Sequence, residues 1–204
     1  MKLYKNLATA AKVRTEVRAL KLSVKSETFP AELREFPNLR ELYLEGNCRT
    51  FPEDDLPWPE LRTLSIKWPA FAGSLAAFFR LPRLENLKLI ETPLDVLRLP
   101  LGHVRAPLTS LTIKDCGLRA LPEEVALLRQ LTELNLSGNT LESLPASFVD
   151  LHFLHRLNLD NNGFVRFPDL VKRMPALAHL SIDRNRFPEE EKERIQREFH
   201  LWVE

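Results

Sequence analysis

The chain has 204 residues, 44% of them hydrophobic and 28% charged, a balance that supports a buried core and excludes a disordered polymer. Lysine and arginine number 29 against 28 aspartate and glutamate, so a net charge of +1 supplies no overall field to attract nucleic acid or an anionic membrane. No apolar run reaches the roughly 18 residues of a membrane span, and the first twenty residues lack the apolar centre of a secretory signal, which points to a cytoplasmic protein.

In chain order, residues 2 to 12 place Tyr4, Leu7, Ala8 and Ala11 on one helical face, which predicts an N-terminal cap over residues 1–16. A unit then recurs with starts at Val17, Leu39, Leu61, Leu84, Leu108, Leu131, Leu154 and Leu177, at spacings of 22 to 24 residues. Its most regular copy is LTELNLSGNTLESLPASFVDLHF, beginning at Leu131. In each copy positions one, four and six are apolar and positions three and five mostly polar. This alternation predicts eight strands with one face inward and the other outward. A single unit cannot bury its apolar set alone, whereas stacked units share one core.

The second half of five units opens on proline, at Pro30, Pro52, Pro122, Pro145 and Pro168, with apolar residues three and six places later as at Leu33 and Phe36, Phe148 and Leu151, and Val171 and Met174; units three and four lose this step. That spacing predicts a short helical or 3₁₀ segment on the convex side. Trp58 falls on one of those inward positions and is assigned to the core. At position nine, where a side-chain amide can satisfy the backbone of a tight turn, the column reads Lys25, Asn47, Pro69, Thr92, Cys116, Asn139, Asn162 and Asn185. It is regular at the C-terminal end and broken in the middle, and greatest distortion is expected between Pro69 and Pro107. The chain closes on Pro188 followed by three glutamates, a helix start, with Ile195, Phe199 and Trp202 on one face as a C-terminal cap over residues 188–204.

The 23-residue unit, the Asn139-x-Leu141 and Leu144-Pro145 steps and the terminal segments together resemble the bacterial and Scribble-like class of leucine-rich repeats over residues 17 to 187. The resemblance implies an α/β leucine-rich-repeat solenoid, right-handed, with a curved parallel sheet on its concave face, all in one domain. It also implies a protein-binding scaffold whose partner lies on the concave sheet.

Nothing in the sequence forms a catalytic constellation: no glycine-rich phosphate loop, no Cys-x-x-Cys and no His-x-x-x-His occurs. No cofactor is implied. His155 and His179, near Asp160 and Asp183, raise a metal-site idea that lacks a closed third ligand. Cys48 and Cys116 lie three strands apart, about 14 Å at roughly 4.8 Å per strand, beyond disulfide reach, so both are expected as free thiols.

Positions three, five, seven and eight compose the concave face, where six basic residues meet seven acidic ones, unlike a nucleic-acid footprint. Lys67, Lys88 and Lys114 cluster there beside Tyr43, Trp68 and Ile90, the makings of a protein-binding patch on repeats two to five. Trp68 has two readings: an outward anchor for a partner, or a cover over irregular neighbouring structure. The leading expectation is a monomeric, non-enzymatic scaffold that binds a protein partner, with no role for nucleic acid or membrane. The alternative is a bacterial effector or surface protein that engages host or prey proteins.

Overall fold

One column of leucines runs through the molecule: Leu20, Leu42, Leu64, Leu87, Leu111, Leu134, Leu157 and Leu180 stand opposite one another on successive strands. In the computed structural model, which describes residues 1–100 and 104–203, these strands form one nine-stranded, wholly parallel sheet in sequence order. The strands are β1 (Leu3–Tyr4), β2 (Ala19–Val24), β3 (Glu41–Gly46), β4 (Thr63–Lys67) and β5 (Asn86–Ile90). They continue as β6 (Ser110–Lys114), β7 (Glu133–Asn135), β8 (Arg156–Asn158) and β9 (His179–Ser181). Buried and exposed residues alternate along them, as in β4, where Leu64 and Ile66 are fully buried between half-exposed neighbours. This is the open, stacked sheet of a leucine-rich-repeat solenoid.

The N-terminal expectation needs correction. Residues 2–12 do not form one helix: Leu3 and Tyr4 pair with Ala19 and Leu20 as a ninth strand beyond the eight expected. The cause is Asn6, whose side chain accepts the N–H of Thr9 at 3.1 Å and so fixes the start of helix α1 (Leu7–Ala10) after the strand. Ala10 is the residue α1 buries, rather than Ala8.

The return segments carry 3₁₀ turns at Ala31–Glu35, Glu123–Leu127, Ala146–Asp150 and Asp169–Arg173, each preceded by its proline. Each turn buries one apolar residue, Leu33, Val125, Phe148 and Val171 respectively. Trp58 is fully buried in the core, its indole N–H donating to the Leu33 carbonyl at 3.1 Å. The segment between Pro69 and Pro107 keeps β4, β5 and β6 in register, so its extra residues are accommodated away from the sheet. Residues 101–103 of that segment, and Glu204 at the end, lie outside the described residues.

Helix α2 (Glu189–Phe199) packs on the last repeat through fully buried Ile195 and through Phe199, whose ring centre lies 4.1 Å from that of Phe167. Trp202 does not share that face. His200 takes a left-handed conformation (φ 55°) that ends the helix, and Trp202, beyond it, is 81% exposed.

The turn column is also more continuous than its residues suggest. Asn139 donates to the carbonyls of Ile113, Leu136 and Ser137 and accepts from the N–H groups of Cys116 and Leu118. Asn162 and Asn185 repeat the pattern one and two units on. Thr92 and Cys116 keep part of it. The Thr92 hydroxyl reaches the Ile90 carbonyl at 3.0 Å, and the Cys116 thiol reaches that of Lys114 at 3.2 Å. The break therefore falls in the first three units, where Lys25, Asn47 and Pro69 are exposed.

Candidate functional site

The outward residues at position five form a single row across the sheet: Lys21, Tyr43, Ser65, Lys88, Thr112, Asn135, Asn158 and Ser181. Tyr43 is half-buried and its hydroxyl donates to Glu41 at 3.2 Å; burial first, and the neighbouring carboxylate second, push its pKa above the ordinary value. Lys67 pairs with Glu91 at 2.6 Å, and Lys114 lies 3.8 Å from Asp115. Ile90 is half-buried opposite Lys114. Lys88 is exposed and, among the described residues, has no ion-pair partner, whereas Lys21 in the same row pairs with Glu45 at 3.0 Å.

Trp68 is not part of this face. It is fully buried, its ring 5.7 Å from Phe51 and 6.0 Å from Phe71. The reason lies in the backbone at position eight. In most units this residue turns left-handed (Gly46, Glu91, Asp115, Gly138, Asn161 and Arg184), which throws its side chain outward. Val24 and Trp68 do not have positive φ, so the strand alternation that buries Leu64 and Ile66 continues to Trp68. A side chain with no exposed surface cannot anchor a partner on the sheet. Of the two readings, cover for the core is the one its position meets.

A shallow trough of about 410 Å³ lies further along the same face, over β5 to β9, and includes Lys88, Thr112, Asn135 and Asn158. Asn135 and Asn158 use their amide oxygens to accept the N–H groups of Ser137 and Asp160, both at 2.9 Å. Their amide nitrogens have no hydrogen-bond partner among the described residues. Arg156 and Glu133, opposite each other on the adjacent strands β8 and β7, pair at 3.7 Å. Neither charge nor aromaticity marks these asparagines in the sequence. The signal that finds them is their recurrence at position five in adjacent units.

The histidines do not assemble with the aspartates. The Nδ1 of His155 lies 2.7 Å from its neighbour's carbonyl at Phe153, while Asp160 accepts the Ser181 hydroxyl and the N–H of Asp183. Among the described residues no group of three or more histidine, cysteine or acidic side chains is placed to hold a metal. Cys48 and Cys116 are free and buried, and burial pushes both thiols up to about 11, so neither is a ready nucleophile at neutral pH. No described helix is long and apolar enough to cross a membrane.

The stacked parallel strands, the amide column at the turns and the open outward face define a repeat solenoid. A leucine rich repeat family model matches residues 106–164. A solved leucine-rich-repeat protein of Leptospira interrogans, LIC12759, is 28% identical and superposes at a TM-score of 0.76, covering 93% of this chain. InlP of Listeria monocytogenes, 22% identical over 83% of this chain, shares the fold at a TM-score of 0.67. The chain spans about half the length of each, 50% and 49% respectively. No curated protein matches it in sequence. The chain has the fold of a leucine-rich-repeat protein.

Proposed function

We propose that this domain is a non-enzymatic, cytoplasmic scaffold that binds a partner protein on its concave sheet face, through a surface that includes Tyr43, Lys67, Lys88, Ile90 and Lys114. The leucine-rich-repeat fold itself suggests a protein-interaction scaffold. The observation that carries the location is Lys88, an exposed cation in the middle of the position-five row whose charge no described carboxylate neutralises. Beside it, Tyr43 offers an aromatic ring with a polar tip two strands away, the combination that concentrates binding energy at interfaces. Lys67 and Lys114 are already paired and serve more to fix register than to add affinity.

The test is affinity capture with mass spectrometry, using wild type, Tyr43→Ala, Lys88→Glu and a control, Arg129→Glu, at an exposed site on a return segment. Loss of the same partners from the first two variants alone supports the concave site. Equal capture by Lys88→Glu and wild type removes it. A bacterial setting, in which the partner belongs to a host or prey cell, is favoured only by the bacterial origin of both structural neighbours.

A further inference from the structure

We infer that the trough over β5 to β9 receives an extended, acidic segment of the partner, its carboxylates meeting Lys88 and its acceptor oxygens meeting the free amide nitrogens of Asn135 and Asn158. This inference rests on the concave-face reading above and specifies the chemistry it takes.

Hydrogen-bond capacity sets what the row can offer a ligand. A primary amide offers one acceptor oxygen and two N–H donors. In Asn135 and Asn158 the oxygen is committed to a backbone N–H two residues on, which fixes the amide and leaves the nitrogen as donor. The two residues stand opposite each other on β7 and β8, so the donors recur at the strand spacing of about 4.8 Å. Thr112 continues the row toward Lys88 on β5. The row thus presents two oriented donor groups, a hydroxyl and an uncompensated cation, and no carboxylate of its own.

Charge decides between ligand classes. Among the described residues Glu133 is the one carboxylate lining the trough and it faces Arg156, leaving Lys88 as the surplus charge. One surplus cation matches a segment with spaced carboxylates. It is too little for a nucleic-acid backbone, whose binding requires several phosphates to be neutralised. Four inter-strand steps make the strip about 19 Å long, the reach of about six extended residues at about 3.3 Å each. A peptide of that length with alternating acidic side chains can place one set toward the sheet and the other toward solvent.

Fluorescence anisotropy of a labelled peptide of about twelve residues alternating Glu and Ser, about twice the strip, tests this against a matched Gln-Ser peptide and an oligothymidylate of similar length. The Glu-Ser peptide is expected to bind at least about tenfold more tightly than either control, a difference of about 1.4 kcal/mol. Lys88→Glu is expected to weaken it about tenfold or more. Asn158→Asp keeps the oxygen that accepts the Asp160 N–H but replaces the donor, and should weaken it comparably. Both positions are at least partly exposed, so the variants are expected to fold, and far-ultraviolet circular dichroism checks this.

Equal binding of the Glu and Gln peptides, tighter binding of the oligonucleotide, absence of binding, or folded variants that bind like wild type would each overturn the inference. If partner capture is lost in Lys88→Glu while the peptides show no acidic preference, the acidic segment falls and the concave reading stands. If capture also persists, both fall.

Discussion

The side-chain oxygen of Asn139 accepts the backbone N–H of Cys116 at 3.1 Å, joining the turn of one repeat to the turn before it. The same amide holds Leu118 N–H and the carbonyls of Ile113 and Leu136, all in the buried interior. Asn139→Leu takes this partner from the Cys116 and Leu118 N–H groups and the Ile113 carbonyl, each costing about 1–3 kcal/mol when left unpaired, while the Leu136 carbonyl keeps the amide of Asn162. A loss of about 3–5 kcal/mol is expected, read as a lower midpoint in urea denaturation. A midpoint equal to wild type would show that the amide column does not carry the turns.

Trp68 separates packing from polarity. Its ring fills a site with no solvent exposure, yet its indole N–H has no partner among the described residues. Trp68→Ala should cost about 3–5 kcal/mol through the cavity it leaves. Trp68→Phe loses less volume and also removes the unpaired donor, so its cost should stay below about 1.5 kcal/mol. The comparison is made by urea denaturation; equal costs for the two would contradict the packing assignment.

Two glycines at the same repeat position predict different penalties. A Cβ on Gly46 would lie 1.9 Å from the Val24 carbonyl oxygen, part of the backbone of the neighbouring strand. On Gly138 it would meet a carboxylate oxygen of Asp115 at 1.8 Å, the end of a side chain that can swing away. Gly138→Ala should therefore cost about 1 kcal/mol, mostly for the left-handed backbone, and Gly46→Ala distinctly more. Thermal unfolding of the two variants gives the order.

Glu191 ties α2 to the last repeat and makes stability depend on pH. Its hydrogen bond from Arg194 at 2.7 Å, together with the Phe167 N–H at 2.8 Å, holds its carboxyl below the usual value of 4.5. Because the folded pKa is depressed, its contribution is complete above the unfolded value and is lost as pH falls through the folded one. Glu191→Gln should be less stable at neutral pH and should lose less on acidification below about pH 4.5. Urea midpoints across that range would check it, and parallel pH profiles for the two proteins would refute the assignment.

The sheet was legible because its signal is a simple alternation repeated in every unit: Leu64 and Ile66 read as inward from their spacing alone. Trp68 keeps two readings in the sequence because the side it faces depends on one backbone dihedral that residue identity alone does not reveal. Arginine, glutamate, aspartate and asparagine all turn left-handed at that position in other units. The middle of the amide column was underestimated for a related reason. Thr92 and Cys116 do not look like asparagine, but each carries a side-chain donor that reaches the carbonyl two residues back. Lys88 stands out in the sequence through its charge, whereas Asn135 looks plain because the sequence does not show which of its two amide atoms is already occupied.

The all-neighbour pairing of the sheet bears on how the molecule opens. Each strand leans only on the strands beside it, so the free energy of local opening varies along the stack. At the C-terminal end Leu177 and Leu180 are only partly buried, whereas Leu154 and Leu157 one unit earlier are 0% and 2% exposed. Amide hydrogens of β9 and α2 should consequently exchange as one early group, ahead of β3 to β6, giving the solenoid a hinged end and a slow-exchanging middle that holds Lys88.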